Sequence, residues 1–332
     1  MRKSRVVASA TVALTFATAA LVGMAVNASA QSSRPALAKV TMGIEPWIGY
    51  APWYIAQKKG FFKACGVDVS IINFQTDADR NAALIAGKTN VSNIDTGRTI
   101  QFVELQKAPI KLLAIEDASV GADAVLASKS ITSPEQVAGQ SVAYESGTTS
   151  DLLLHYMLRK YGIPFSKVKQ VSAPAASAGT LLIAGKVPVA VTYEPYISNA
   201  TSHGSHGAHV LFSSKNAPGL ISDFLVTTQS WLGSHAAEAK ALMCSWNKAT
   251  AYYVSNRKDA VAIMAAGVGS KVADLAPTLA GVTIYTIPAN KRLLKSGELA
   301  KEYLGIGQTL KAQGVVKATV PFSKVANFSY QP

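Results

Sequence analysis

The sequence predicts an α/β protein built from two similar halves, and three observations predict it. Short apolar strands alternate with helical stretches in the order β-α-β-α-β, and that order occurs twice. The second occurrence echoes the first at the residue level: Leu84-Ile85-Ala86-Gly87-Lys88 returns as Leu182-Ile183-Ala184-Gly185-Lys186, with Val91 matching Val189 at the same offset of 98. The chain has 332 residues, 49% hydrophobic and 15% charged, which is too apolar for disorder and long enough for two ordinary domains.

In the first half, residues 39–44 alternate and read as a strand, followed by the breaker-rich loop Glu45-Pro46-Trp47-Ile48-Gly49-Tyr50. Residues 52–63 carry helical spacing through Trp53, Ala56 and Phe61, and Gly66 stops them. A strand over 67–74, a helix over 77–86 closed by Gly87, and a strand over 91–94 complete the unit. In the second half, strands are predicted at 141–143, 168–171 and 187–191, with helices at 151–161 and 176–184. Four further apolar strands, at 112–117, 123–127, 210–212 and 223–227, read as two crossings between the halves. From Ser234 the pattern turns helical, over 236–255, 257–266, 271–280 and 297–313, and these helices pack on the first half. The predicted organisation is therefore one lobe from residues 39–122 and 224–332 and a second from 123–223.

The first thirty residues read as an address. A short basic start (Arg2, Lys3, Arg5) precedes an uncharged stretch over 6–26, and Ala28-Ser29-Ala30 supplies a small-x-small cleavage site. Many Ala, Ser and Thr positions favour this secretory signal over a transmembrane anchor. The formal charge is +13, and removing those three basic residues leaves +10, spread without long basic runs. That distribution is a surface-potential feature and not a nucleic-acid stripe. Two cysteines, Cys65 and Cys244, exclude a disulfide scaffold; they either pair or stand as separate buried thiols.

Several motifs together resemble the periplasmic solute-binding proteins of ABC importers. They are Gly49-Tyr50-Ala51-Pro52-Trp53-Tyr54-Ile55-Ala56, Lys59-Gly60-Phe61-Phe62, Gly66-Val67-Asp68-Val69, Val191-Thr192-Tyr193-Glu194-Pro195-Tyr196 and Pro218-Gly219-Leu220-Ile221-Ser222-Asp223. Within that class the chain is similar to the nitrate/sulfonate/taurine and thiamine-pyrimidine-precursor group. The resemblance implies a two-lobed periplasmic-binding-protein fold, each lobe a parallel-type sheet flanked by helices, joined by two crossover strands. It also implies a small-molecule ligand, a permease in the inner membrane as partner, no cofactor, and a monomer outside the cytoplasm.

Ligands of open parallel sheets bind beyond the carboxyl ends of the strands. Those positions offer Glu45, Trp47 and Tyr50 after the first strand and Asp95 with Thr96 after the third. The second half offers Glu145, Thr148 and Thr149 after its first strand and Tyr193 with Glu194 after its last. The crossovers add Glu116, Asp117, Asp123 and Asp223, which either meet the ligand or tie neighbouring backbone. Acids outnumber bases, with Arg98 the one cation read as nearby, so a small cationic, N–H-rich or zwitterionic solute fits better than nitrate or a plain sulfonate. Trp47, Tyr50, Tyr193 and Tyr196 supply surfaces for stacking. The competing reading keeps a sulfonate on the hydroxyls and free N–H groups of Thr148 and Thr149. Glu194 alternatively caps a helix.

An enzyme is the remaining alternative, as a pyrimidine-precursor synthase of the same fold. The sequence carries no nucleophile elbow, zinc helix, phosphate loop or dinucleotide fingerprint, and no histidine stands at a strand end. His203, His206 and His209 read as incidental residues of a surface loop rather than as a metal site. Processing at the Ala28-Ser29-Ala30 site gives a mature protein starting at Gln31. N-terminal sequencing of exported protein tests this, and Met1 retained in a membrane fraction contradicts it.

Overall fold

A computed structural model describes residues 36–203 and 207–332. β1 (Ala38–Ile44) buries Val40, Met42 and Ile44. Pro52 at its first position opens α1 (Pro52–Lys58). The single helix expected over 52–63 is broken at Gly60, whose φ of +70° is costly for any residue with a side chain, and it restarts as α2 (Phe61–Ala64). β2 (Val67–Asn73), α3 (Asp77–Ile85) and β3 (Val91–Asp95) follow. α4 (Thr96–Leu105), unmarked in the sequence patterns, begins where the Asp95 carboxylate accepts the Arg98 N–H at 2.8 Å.

β4 (Ile110–Ser119) and β5 (Asp123–Ala127) carry the chain into the second half. There β6 (Ser141–Tyr144), α5 (Thr149–Lys160), β7 (Lys169–Ser172), α6 (Ala175–Ile183) and β8 (Val189–Tyr193) repeat the plan. α7 (Tyr196–His203) and β9 (His209–Ser213) lead to β10 (Ser222–Thr228), which returns. His203 therefore ends a helix and His209 begins a strand, while His206 lies outside the described residues. α8 (Gln229–Ser234), α9 (Ala236–Ser255), α10 (Arg257–Gly267) and α11 (Val272–Thr278) precede β11 (Val282–Ile284), and α12 (Ile287–Ser296), α13 (Glu298–Ala312) and α14 (Phe322–Val325) close the chain.

The strands form two sheets, ordered β11-β4-β10-β3-β1-β2 and β7-β6-β8-β5-β9. The sequence echo is structural. β2-β1-β3 and β7-β6-β8 are the same parallel triplet, and Val91 pairs with Met42 as Val189 pairs with Val142, each two residues before the end of its central strand. The sheets are mixed, however, and not of parallel type throughout. β10 enters between β3 and β4 from the end where β3 stops, so it must run antiparallel to both; β5 likewise opposes β8 and β9.

The first lobe's helical layer packs around Trp53, which is fully buried between Phe62 at 5.9 Å and Trp246 at 4.8 Å. Phe61 is half-buried against Tyr252. Cys65, just past α2, is disulfide-bonded to Cys244 in α9, closing a separation of 179 residues. Of the two readings of the cysteines, the structure takes the paired one. Replacing both with Ser is expected to cost about 2–4 kcal/mol by releasing that loop in the unfolded chain. Calorimetry with and without reductant measures it; equal melting points would show the bridge to be energetically idle.

Candidate functional site

The carboxyl ends of β1, β3 and β8 and the starts of β5 and β10 face one another across a narrow cleft. Five carboxylates line it, from Glu45, Asp77, Asp95, Asp123 and Asp223, against one guanidinium. That cation is Arg80, from the first turns of α3, and not Arg98. Arg80 is 1% exposed. Its Nη1 lies 3.3 Å from Glu45 Oε1, and its Nη2 donates to Asp77. Burial opposes the charged form of Arg80, but the fields of Glu45 and Asp77 outweigh it and the guanidinium stays firmly protonated. Its Nε–H has no hydrogen-bond partner among the described residues.

Strand register assembles the remaining acids. Asp223 on β10 stands opposite Asp95 on β3 on one side and Asp117 on β4 on the other. Like charges so placed repel, and each is held by a different donor. Asp95 Oδ1 takes the Arg98 N–H, Asp223 takes the Tyr50 hydroxyl at 2.8 Å, and Asp117 takes the Trp47 indole N–H at 3.0 Å. Asp95 Oδ2 and Asp123 Oδ2 are buried and accept no hydrogen bond among the described residues. Burial is the main force on every one of these groups. It lifts Asp95 to about 6, Asp123 to about 7 and Asp117 to about 8, and holds Glu45 and Asp223 well above the ordinary carboxylate range. Behind them Glu116, lifted by burial to about 8, accepts from Trp53 Nε1 at 2.6 Å and from Asn93.

The aromatic wall is closely packed. A Cβ on Gly49 would lie 2.3 Å from the Asp117 carboxylate and 2.4 Å from Trp47 Nε1, so only glycine lets that hydrogen bond form. Trp47 meets Tyr193 edge to face at 5.7 Å across the cleft, and Tyr196 packs on Tyr193 at 5.3 Å.

The sequence-predicted residues divide. Glu45, Trp47, Tyr50, Asp95, Thr149 and Tyr193 line the cleft. Thr96, Glu145, Thr148 and Glu194 are occupied in its walls. Thr96 donates to the Ser222 carbonyl, and Thr148 caps α5 while donating to the Glu145 carbonyl. Glu194 takes the backbone N–H and hydroxyl of Ser198 in α7. Glu145 accepts two backbone N–H groups, from Asp77 and Ala175. Asp77 and Arg80 are the residues that reasoning from strand ends misses. They sit in the first turns of the helix after β2, and an acid and a base three apart at a helix start was the available signal. Among the described residues, no three His, Cys, Asp or Glu are placed to hold a metal ion.

Residues 47–260, carrying most of this cleft, match the model of the NMT1/THI5-like family. The chain belongs to that family. Among its relatives in Escherichia coli (strain K12), a taurine-binding periplasmic protein is 23% identical over 80% of this chain and 85% of its own. A second, assigned to aliphatic-sulfonate binding, is 24% identical over 54% of this chain and 57% of its own length, so the chain matches little more than half of it. The alkanesulfonate-binding protein of Xanthomonas axonopodis pv. citri, bound to MOPS, superposes with a TM-score of 0.73 at 16% identity, over 87% of this chain and 98% of that one. The periplasmic nitrate-binding protein of Synechocystis PCC 6803 superposes with a TM-score of 0.65 at 14% identity, over 89% and 87%. The fold of this family member is thus that of the periplasmic binding proteins.

The raised carboxylates fix a sign for the ligand-free protein. Their unfolded values lie near 4, so between about pH 4 and 8 the folded state binds protons that the unfolded state releases. Stability held at low pH is therefore lost as pH rises through about 6 for Asp95, about 7 for Asp123 and about 8 for Asp117. Calorimetry is expected to show the melting point at pH 8.5 below that at pH 5.5 by about 2–3 °C, equivalent to 1–2 kcal/mol for a chain of this size. Asp123→Asn should flatten the slope. A melting point that rises across this range would refute the assignment.

Proposed function

We propose that the chain is the extracytoplasmic solute-binding component of an ABC importer, working as a monomer, and that its solute is small and bears an ammonium, amidinium or N–H-rich heterocyclic group. One observation carries the solute class. Asp95 Oδ2 from the first lobe and Asp123 Oδ2 from the second are buried in the cleft without a donor. A buried charge without a partner costs several kcal/mol, and a cation donating N–H bonds to both would remove that cost. Such a ligand bridges the lobes and so stabilises the closed form over the open one, which is what a permease can read. Glu45 is already held by Arg80, which leaves Asp95 and Asp123 rather than Glu45 as the first contacts. The Trp47 and Tyr193 rings then offer their faces or edges to the solute body.

The names of the two relatives support the transport role, and the paired cysteines accord with an oxidising compartment. A second reading keeps the relatives' ligand chemistry. The unpartnered Arg80 Nε–H and the start of α5 at Thr149 and Ser150 could receive an anionic end. A zwitterion such as taurine satisfies both halves of the site; a plain sulfonate or nitrate leaves the acids unpaired.

A thermal-shift panel separates these readings, with putrescine, agmatine and aminopyrimidines on one side, taurine between, and ethanesulfonate and nitrate on the other. Amines or taurine are expected to stabilise the protein. Asp123→Asn should weaken their binding about ten- to hundredfold, as loss of a charged hydrogen bond implies. Stabilisation by ethanesulfonate or nitrate alone, untouched by Asp123→Asn, would overturn the proposed solute class.

A further inference from the structure

Glu145 stands at the lip of the second lobe, in the loop after β6. Its two carboxylate oxygens accept from different lobes. Oε1 takes the Asp77 N–H of α3 at 3.1 Å, and Oε2 takes the Ala175 N–H of α6 at 3.0 Å. Both donors are first-turn N–H groups, which have no partner inside their own helices, and both helix ends present positive dipole charge to the carboxylate. The loop that carries Glu145 is fixed within its own lobe. Thr148 donates its hydroxyl to the Glu145 carbonyl at 2.8 Å, and Gly147 donates its N–H to Asp151 at 2.8 Å. The same loop makes a second contact to the first lobe, where Arg98 Nη1 donates to the Gly147 carbonyl at 3.4 Å.

We infer that Glu145 is the closure latch: one carboxylate pins α3 of the first lobe to α6 of the second and holds the cleft shut. The inference rests on the reading that the two lobes close over a solute, but not on which solute. The geometry links the latch to the site. Asp77, held by its N–H, holds Arg80 by its side chain, and Arg80 in turn holds Glu45 at the end of β1. Closing the lobes onto Glu145 therefore sets α3, and with it the only guanidinium lining the cleft among the described residues. Opening the cleft breaks the Asp77 bond and leaves the Ala175 bond, which lies within the second lobe, so one first-turn N–H and one carboxylate oxygen return to water. The cross-lobe bond to a charged acceptor then counts toward the closed state alone, so Glu145 biases the equilibrium without touching ligand.

The latch is tested on ligand-free protein. Spin labels at Lys88→Cys and Lys186→Cys, exposed positions on the first and second lobes, report the lobe separation with the native disulfide left oxidised. The unsubstituted background should populate a short, closed distance. Glu145→Ala should shift the closed-to-open ratio about tenfold toward open, equivalent to 1.4 kcal/mol. Glu145→Gln, which keeps one acceptor oxygen, should fall between. Arg98→Ala, which leaves Glu145 in place, should move the ratio the same way and keeps the test available if Glu145→Ala folds poorly. A purely local role, capping α6, would lower the melting point of Glu145→Ala and leave the distances unmoved. Unmoved distances in Glu145→Ala and Arg98→Ala, or no closed population in the background protein, would overturn the latch. Because no ligand is present, a protein that binds sulfonates in place of amines would still show the shift.

Discussion

The ion pair of Arg80 with Glu45 and Asp77 is the interaction on which the cleft depends. Strand ends bring acids together, and burial raises the cost of each. Arg80 offsets two of them at once from a position almost without solvent contact. Removing one partner of such a buried pair costs about 3–5 kcal/mol, because the charge left behind has no water to turn to. The pair also fixes geometry. It ties the end of β1 to the start of α3, and the same Asp77 offers its N–H across the cleft to Glu145.

What Arg80 does not offset defines the rest of the site. Asp95, Asp223 and Asp117 lie side by side on β3, β10 and β4 because those strands are antiparallel in this register. Tyrosine and indole donors quiet two of them, and Asp123 joins from the other lobe. The protein as a whole is strongly basic, with a formal charge of +13. Salt screens that net charge beyond about 8 Å. Inside the cleft the balance is reversed, because carboxylates of both lobes meet there at short range and low dielectric.

The fold was largely legible in the sequence because its signals are local and repeated. Helix-stopping glycines, alternating strands and the echo between Leu84–Lys88 and Leu182–Lys186 reflect one parallel triplet used twice, as the matching registers of Val91 and Val189 show. The mixed character of the sheets was not legible, because strand direction depends on where β10 inserts. The site shows the same division. Asp95 and Glu45 follow strands directly and were readable. Asp77 and Arg80 sit on a helix start, one element beyond the strand ends, and their burial beside Glu45 depends on how that helix packs against the end of β1. Thr148 and Glu194 have the right address but spend their side chains on local caps, a use that competes for Thr and Glu near any helix start.

Neighbours with this fold take sulfonates and nitrate, at 14–16% identity to the chain. One backbone plan thus serves neighbours with different ligands, and what differs between such sites is the set of side chains at the strand ends. In this chain the charges there are a consequence of register. Asp223 reaches the cleft because β10 pairs Asp223 with Asp95, and side chains alternate faces along a strand. A slip of one residue would turn Asp223 away and bring in Ser222 or Phe224, at the cost of unpacking Phe224 and Val226 from the core. The apolar residues of β10 thus hold the acid in place. The place of Asp223 in the cleft and the packing of the core are encoded in the same seven residues, Ser222–Thr228, so that acid cannot be moved by shifting the strand, only by substitution on it.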